Sequence, residues 1–384
     1  MENRKLEQYI VNKIKSKGRI TFKEFMEDCL YHPFGYYQRK EKIIGKKGDY
    51  YTNVSVHPVF GELIAKQVLQ IWEIMGMPEP FFIFEMGAEQ GFLCHDFLSR
   101  ARTYSKFYNS LKYLTIETGT AKKKMMSGLL QSFFCEGRWE NANWDEILKG
   151  EKKFQGCFIS NELIDSFPVH LITKINGSLS EIYVTHKNGQ FQEIIGELSS
   201  DELADYFNNV GIILSEGQRA EVNITALRLI SEVDSIIKKG FIITIDYGYP
   251  AKKLYGPKFF NGTLMGYYKH TSSIDPYINI GLQDLTSHVD FTSLINKATE
   301  LGWEVTGFTT QVKFLLGLGI QEEIENVDKV FSSPVEILKN RLAMQSLLAL
   351  EGGLGETFKV LILNKGLKTP ELDGFKYEEN ACPN

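Results

Sequence analysis

The chain has 384 residues, of which 43% are hydrophobic and 24% are charged, and its formal net charge is −5. This length and composition are typical of a globular protein with one large domain or two, and the negative charge argues against a general nucleic-acid surface. No apolar run approaches the roughly 20 residues that span a bilayer, and the five cysteines form no CxxC pair that would indicate a zinc site or a disulfide framework.

The N-terminal region is predicted to be mainly helical. Its first residues, MENRKLEQYI, contain no hydrophobic signal core, so we expect a cytoplasmic protein. Thr21 and Glu24 have the spacing of a capping box at the start of a helix. An aromatic turn around Tyr36 and a polar loop containing Asp49 separate the predicted helices, which cover Leu6–Lys17, Phe22–Leu30 and Phe60–Met75. We expect residues 1–76 to form a lid or substrate region.

The stretch Phe81–Leu93, FFIFEMGAEQGFL, is predicted to be a buried strand followed by a tight turn and a helix. Glycine can adopt a positive φ and allows a ligand to approach the backbone, so Gly87 and Gly91 are candidate cofactor-binding residues. Strand, turn and helix in this order are typical of a nucleotide-binding corner, with the ligand beyond the carboxyl end of the strand. The alternative is a buried strand with an ordinary turn.

A second predicted strand, Lys112–Glu117, also ends in an acidic residue. Glu117 lies a little more than about 20 residues beyond the glycine turn, where a carboxylate can accept hydrogen bonds from both ribose hydroxyls. We therefore favour a ribose-binding role for Glu117 over a solvated acid at the tip of a strand.

A third strand, Phe154–Ser160, leads into a polar segment that is the best catalytic candidate in the sequence. Polar groups at the carboxyl end of a central strand occupy the position at which α/β proteins bind ligands. Glu162 and Asp165 are three residues apart, so one helical turn would bring both carboxylates to the same side. Asn161 and Glu162 could alternatively serve only as a helix cap.

The remaining chain alternates insertions with further strands. Asn176-Gly177 and Asn188-Gly189 indicate hairpins in a projecting arm, and a helix is predicted over Glu221–Lys239. Buried strands are expected over Gly240–Ile245, Gly302–Thr310 and Thr357–Asn364, the first ending at Asp246. His288 and Asp290 lack a third metal ligand, so a structural role is favoured.

Polar strand ends that follow one glycine turn favour a doubly wound α/β sheet that binds an adenosine-type ligand. A nicotinamide or flavin fingerprint would place glycine at the positions of Glu89 and Phe92, and no GxxxxGK[ST] phosphate loop is present. S-adenosylmethionine is the remaining common ligand, because it has no phosphates and needs only the turn and a ribose-binding acid.

Several segments resemble the MidA-like methyltransferases, the family that contains the mitochondrial complex I assembly arginine methyltransferase. They are TFKEFMEDCLYHPFGYYQ, GDYYTNVSVHPVFGELIA, SNELIDSFPV, IDYGY, GTLMGYYKH, DLTSHVDFT and QVKFLLGLGI, and they occur in family order over nearly the whole chain. The resemblance implies a class I methyltransferase, Rossmann-like doubly wound sheet with an N-terminal helical lid. It also implies a core over residues 77–365, an inserted β arm at about 169–215, a helical insert at about 311–350 and a tail over 366–384.

The resemblance further implies an S-adenosyl-L-methionine site formed by Glu85, Gly87, Gly91, Glu117 and Asn161. One departure concerns Glu89, which stands where the family pattern E-x-G-P-G-x-G has its middle glycine. It places a Cβ and a charge beside the expected cofactor.

The main hypothesis is methyl transfer to an arginine of a protein substrate, without a metal, a nucleic acid or a membrane as partner. Glu162, Asp165 and Asp49 are the candidate catalytic acids that would hold the guanidinium group, and Asp246 and the aromatic turn would complete the pocket. Two alternatives remain: a weak or inactive methyltransferase fold that acts as a binding or assembly module, and a methyl acceptor other than arginine.

Overall fold

The computed structural model describes residues 2–39, 52–349 and 357–378, and the candidate acid Asp49 lies outside these ranges. The chain divides into two compact units. Unit 1 comprises Met1–Tyr50, Ile164–Ile230 and Gly248–Lys297, and unit 2 comprises Tyr51–Leu163, Ser231–Tyr247 and Ala298–Asn384.

The helices and strands are numbered separately in chain order. The helices are α1 (Glu2–Lys17), α2 (Phe22–Tyr31), α3 (Asn53–Val56), α4 (Val59–Ile74), α5 (Phe92–Ala101), α6 (Ser105–Ser110), α7 (Thr120–Leu129), α8 (Gln131–Cys135), α9 (Trp144–Lys149), α10 (Asp201–Asn209), α11 (Ile224–Ile236), α12 (Ala251–Leu254), α13 (Phe291–Glu300), α14 (Gln311–Leu318), α15 (Ile320–Glu325), α16 (Val327–Val330) and α17 (Pro334–Ser346). The strands are β1 (Ile20–Thr21), β2 (Phe81–Met86), β3 (Leu111–Ile116), β4 (Trp139–Asn141), β5 (Phe154–Asn161), β6 (His170–Ile175), β7 (Ser178–Lys187), β8 (Gln190–Gly196), β9 (Arg219–Val222), β10 (Ile237–Tyr249), β11 (Met265–Tyr268), β12 (Thr271–Ser273), β13 (Asp284–Thr286), β14 (Val289–Asp290), β15 (Glu304–Thr310) and β16 (Phe358–Lys365).

Unit 2 is built on a sheet with the strand order β4-β3-β2-β5-β10-β16-β15. The neighbours from β4 to β10 are parallel, whereas β16 runs antiparallel to both β10 and β15. The next strand along the chain, β3, lies on one side of β2, and β5 lies on the other side. The direction in which strands are added to the sheet therefore reverses between β2 and β5. Ligands of doubly wound sheets bind at the carboxyl ends of the strands at such a reversal. The predicted doubly wound sheet is confirmed.

The apolar runs of the sequence form the core of this sheet. Phe81, Ile83 and Phe84 of β2 have no exposed surface. Phe81 and Ile83 share a core cluster with residues of α4 and α5, and the ring of Phe84 packs against Phe154. The two helices cross closely at Gly61, where an added Cβ would lie 2.8 Å from the Cβ of Asp96. Continuous burial of this kind explains why β2 has no alternation of polar and apolar residues.

Unit 1 contains a second sheet, in which β1, β7, β6 and β9 are neighbours and β8 pairs with β7. Both Asn-Gly turns have positive φ at the asparagine and at the glycine, the geometry of a tight hairpin, so the predicted hairpins are confirmed. The hairpins do not project. Leu6, Ile10 and Ile14 of α1 are buried in one cluster with residues of β6 and β7.

The N-terminal helices therefore belong to unit 1, whereas α4 belongs to unit 2. The sequence-based division placed all of them in one segment, residues 1–76. The difference arises because β1 pairs with β7, with Ile20 opposite Val184, and thereby attaches the N-terminus to a sheet formed from residues far along the chain. The predicted capping box of Thr21 and Glu24 is present in full.

Two further predictions differ from the structure. The helix expected over Glu221–Lys239 is wrong at both ends, because residues 219–222 pair with β6 and β10 already begins at Ile237. The described part of the predicted loose tail packs closely, with the ring of Phe375 against Phe314 and the backbone N–H of Gly374 donating to Gln67 Oε1 at 3.0 Å. Among the described residues, no helix combines the length and apolar character that a bilayer crossing requires.

Candidate functional site

The turn between β2 and α5 has the backbone conformation that its glycines permit. Gly87 has φ 76° and Gly91, the N-cap of α5, has φ 81°. An added Cβ at Gly87 would lie 2.9 Å from Leu163 Cδ1, and one at Gly91 would lie 2.7 Å from Met126 Cγ. Glycine is therefore favoured at both positions, because each has a positive φ and because a Cβ would be too close to a side chain of the same unit.

Glu85 lies on β2 just before this turn and is 4% exposed. The hydroxyl of Tyr113 on β3 donates to Glu85 Oε2 at 2.9 Å. Burial raises the pKa of Glu85 to about 7, with the Tyr113 hydrogen bond opposing the rise and the charge of Glu117 adding to it. The side chain therefore gains and loses its proton near neutral pH.

Glu117 follows the end of β3, and its carboxylate accepts three backbone N–H groups. Glu89 N–H donates to Oε2 at 3.2 Å, and the N–H groups of Thr118 and Gly119 donate to Oε1 at 2.8 and 2.7 Å. A carboxylate has about four lone-pair sites. The geometry therefore leaves room for about one further donor, fewer than the two ribose hydroxyls that the sequence suggested.

Glu89 occupies a left-handed conformation, with φ 52°, in the middle of the turn. Its carboxylate forms an ion pair with Lys122 of α7, and the exposed fractions of the two side chains are 27% and 11%. Burial raises the pKa of Glu89, the charge of Lys122 opposes the rise, and the charge of Glu117 adds to it. Lys122 thus compensates for the charge that Glu89 brings into the turn.

Asn161 and Glu162 lie at the carboxyl end of β5. Glu162 has φ 50°, and its Oε1 accepts from the backbone N–H of Asn53 at 2.8 Å and from Asn161 Nδ2 at 3.2 Å. Asp246, inside β10, is 1% exposed and accepts from the backbone N–H of Leu163 at 3.2 Å. Its carboxylate thus fixes the backbone that follows Glu162.

The sequence analysis expected one α-helical turn to bring Glu162 and Asp165 together, and the structure does not have that turn. Glu162 is left-handed, and a short 3-10 turn covers Ile164–Ser166. Glu162 lies in unit 2 and Asp165 in unit 1, where the backbone oxygen of Asp165 accepts from the N–H of Ser287 at 2.9 Å. The convergence of the two acids on one ligand stays a prediction.

The other candidate residues have structural contacts within unit 1. Tyr36 has no exposed surface and belongs to the core of that unit. Asp290 accepts from the Tyr206 hydroxyl at 2.8 Å and from the backbone N–H of Ser293 at 3.2 Å, and burial raises its pKa to about 6. The ring of His288 contacts Tyr249. Within the described ranges, no group of three or more His, Cys, Asp or Glu side chains is arranged to hold a metal ion.

Sequence reasoning missed Tyr113, Asn53 and Gln311. Gln311 Nε2 donates to Asn53 Oδ1 at 3.1 Å, both side chains are fully buried, and the backbone N–H of Asn53 donates to Glu162. A tyrosine inside a strand and single amides outside the strand ends carry no local signal of function. Their pairing with the acids depends on how distant segments meet.

The site has features that suit an adenosine-type cofactor. The carboxylate of Glu117 keeps hydrogen-bonding capacity for a hydroxyl. Asn161 Oδ1 is a buried acceptor that has no hydrogen-bond partner among the described residues. Glu117 follows β3 and Asn161 ends β5, the two neighbours of β2 in the sheet, so both lie at carboxyl ends of strands near the reversal of strand order and fit the predicted ligand.

Comparisons with known proteins identify similar chains. The sequence profile of a family described as "Putative S-adenosyl-L-methionine-dependent methyltransferase" matches residues 63–309. The protein arginine methyltransferase NDUFAF7 homolog, mitochondrial, of Caenorhabditis elegans is 24% identical over 94% of this chain and 84% of its own length. The Homo sapiens protein arginine methyltransferase NDUFAF7, mitochondrial, is 24% identical over 97% of this chain and 86% of its own length.

A crystal structure from Burkholderia thailandensis, bound to S-adenosyl-homocysteine, is 27% identical with a TM-score of 0.86. The match covers 98% of this chain and 95% of that chain. A native crystal structure from the same organism is 26% identical and has a TM-score of 0.83.

The expectation of a cytoplasmic protein is wrong in the light of these relatives, whose names place them in mitochondria. The expectation had rested on the lack of a hydrophobic signal core in the first residues. That feature argues against secretion, but by itself it does not distinguish among other compartments.

Proposed function

Because the chain belongs to the family of S-adenosyl-L-methionine-dependent methyltransferases, we propose that it methylates an arginine side chain of a protein substrate. Membership of the family confirms the resemblance found in the sequence, the cofactor and the enzyme class. The arginine acceptor is the proposal. It is supported by the names of the relatives, which are protein arginine methyltransferases.

We propose that Glu85, Gly87, Gly91, Glu117 and Asn161 hold the cofactor. Glu117 would accept a ribose hydroxyl, and Glu85 would face the cationic end of the amino acid portion, where a carboxylate is favourable. The bound cofactor supplies an electrophilic methyl group on a sulfonium. The remaining work of the protein is to position the acceptor nitrogen in line and to exclude water.

The observation that carries the proposal is the fixed position of the Glu162 carboxylate, which the backbone N–H of Asn53 holds at 2.8 Å. A guanidinium group stays protonated in water and offers only N–H donors, so it needs acceptors that orient one nitrogen toward the methyl group. Glu162 would supply them, together with Asp165 and Asp49 as further candidates. During transfer the nitrogen gains the methyl group, the sulfur keeps the electron pair of the broken bond, and the guanidinium loses one proton to solvent.

The test is Glu162→Gln, assayed with a methyl-labelled cofactor and proteins of the native lysate, followed by amino-acid analysis of the labelled residue. The substitution keeps the shape and removes the charge, so we expect transfer to arginine to fall by about 100-fold. Glu140→Gln, at an exposed glutamate of β4 in the same unit, is the matched control. Full transfer by Glu162→Gln would refute the acceptor role, and label on a residue other than arginine would refute the proposed acceptor.

A further inference from the structure

A chain of hydrogen bonds links polar residues to Glu162 in unit 2 and extends beyond the residues that the sequence singled out. We call this group the amide cluster, and its members are Asn53, Asn161, Glu162 and Gln311. Asn53 and Gln311 are fully buried. Only folding brings them together, because they come from the start of α3, the end of β5 and the start of α14.

Hydrogen bonds determine how the amides of this cluster are oriented. Gln311 Nε2 donates to the backbone oxygen of Leu347 at 3.3 Å and to Asn53 Oδ1 at 3.1 Å. A backbone oxygen only accepts, so Leu347 fixes the nitrogen of the Gln311 amide on its side. The Gln311 amide fixes the side chain of Asn53, whose backbone N–H holds Glu162 Oε1. Gln311 therefore acts on Glu162 through Asn53.

Three polar atoms of the amide cluster are buried and have no hydrogen-bond partner among the described residues. They are Asn53 Nδ2, Asn161 Oδ1 and Gln311 Oε1. Each unpaired buried polar atom costs about 1–3 kcal/mol, and such atoms are rare in native proteins. Their concentration in one cluster is unfavourable in a closed core, but it is favourable where a ligand supplies the missing partners.

We propose that the amide cluster binds the guanidinium group of the methyl acceptor, and that Gln311 and Asn53 also position Glu162, an inference that rests on the proposed arginine methylation. A guanidinium carries N–H donors on a planar fork, which suit the acceptors Glu162 and Gln311 Oε1. Asn161 stays with the proposed cofactor site. The donor Asn53 Nδ2 would pair with a carbonyl oxygen of the substrate backbone. An ammonium group has fewer donors and would leave more of these acceptors unpaired.

The first experiment separates positioning from general stability. Gln311→Leu keeps much of the side-chain volume but removes the amide oxygen and nitrogen, and Gln321→Leu, at an exposed glutamine of α15, is the control. We expect Gln311→Leu to lower kcat/KM for the protein acceptor by about 100-fold while the cofactor Kd changes by less than about twofold. A parallel rise in cofactor Kd, or no change in kcat/KM, would overturn the inference.

The second experiment needs no turnover. Side-chain amide signals of Asn53 and Gln311 are followed by NMR in ¹⁵N-labelled protein saturated with S-adenosyl-homocysteine, during titration with ethylguanidinium and, separately, ethylammonium. We expect these signals to shift with ethylguanidinium, to respond less to ethylammonium, and to lose the guanidinium response in Gln311→Leu.

Signals that shift when S-adenosyl-homocysteine binds, and no further with ethylguanidinium, would assign the cluster to the cofactor and overturn the inference. An equal or larger response to ethylammonium, or no response to either cation, would overturn it as well. Failure of the proposed function is seen separately, because it appears as label on residues other than arginine in the transfer assay.

Discussion

Replacing Lys122 by methionine removes the positive partner of Glu89 and keeps most of the length and apolar volume of the side chain. Exposed ion pairs contribute about 0–1 kcal/mol, whereas removing one partner of a buried pair costs about 3–5 kcal/mol. The exposed fractions of 11% for Lys122 and 27% for Glu89 place this pair between the two limits. We expect Lys122→Met to lower the free energy of unfolding by about 2 kcal/mol at pH 8, which is about a 30-fold change in the folding equilibrium.

The loss of stability in Lys122→Met should increase as the pH rises. Burial already raises the pKa of Glu89 and Lys122 opposes the rise, so removing Lys122 should raise this pKa further. A carboxyl group with a raised pKa in the folded state contributes stability at low pH that is lost as the pH rises through that pKa. The difference from the wild type should therefore be small near pH 5 and full at pH 8.

A second variant, Lys122→Met/Glu89→Gln, removes both charges of the pair, so that no unpaired charge remains. Chemical denaturation at pH 5 and at pH 8 measures the free energy of unfolding of each variant, with Lys124→Met on the exposed side of α7 as the control. Calorimetry with S-adenosylmethionine gives a second readout. If Glu89 moves in the single variant, its backbone N–H no longer donates to Glu117. The Kd for S-adenosylmethionine should therefore rise in the single variant and recover in the double variant. An equal loss of stability in both variants, or no loss at pH 8, would refute the reasoning.

Two further predictions concern the same turn. Gly91→Ala should destabilise the protein by about 2–4 kcal/mol in thermal or chemical unfolding, because a positive φ costs about 1–2 kcal/mol and the Cβ would also collide with Met126. Gly76→Ala, with φ 87° and nothing within 4 Å of its Cβ, should cost only the backbone part, and equal losses in the two variants would contradict the packing role of Gly91. Because the folded-state pKa of Glu85 is raised to about 7, the wild type should lose about 3 kcal/mol of stability between pH 4.5 and 7 relative to Glu85→Gln. Parallel stability curves for these two proteins over that range would show that Glu85 does not titrate as its burial implies.

The sequence alone predicts those structural features that depend only on neighbouring residues. The apolar run from Phe81 to Phe84 predicts a strand buried on both faces, and the capping box of Thr21 and Glu24 predicts the start of α2. The two Asn-Gly pairs predict the hairpin turns, because few other pairs tolerate two consecutive positive φ angles. These signals are local, since they depend on the side chain of a residue and on the conformations open to its own backbone.

Other features were decided only by the tertiary structure. Residues 219–222 and 237–239 have helical spacing but form strands, because partners in β6 and β5 take up their backbone hydrogen bonds. The N-terminal helices belong to unit 1 because β1 pairs with β7, more than a hundred residues away.

The sequence determined that Glu85, Glu117 and Glu162 lie near the carboxyl ends of strands, since each strand of a parallel sheet delivers its last residues to the same edge. It could not determine their partners. Lys122 pairs with Glu89, and Gln311 orients Asn53 beside Glu162, because α7 and α14 pack at particular positions along the sheet. The physical reason is that a helix buries its apolar face through many weak contacts spread over the whole interface, and no single segment of the sequence contains that sum.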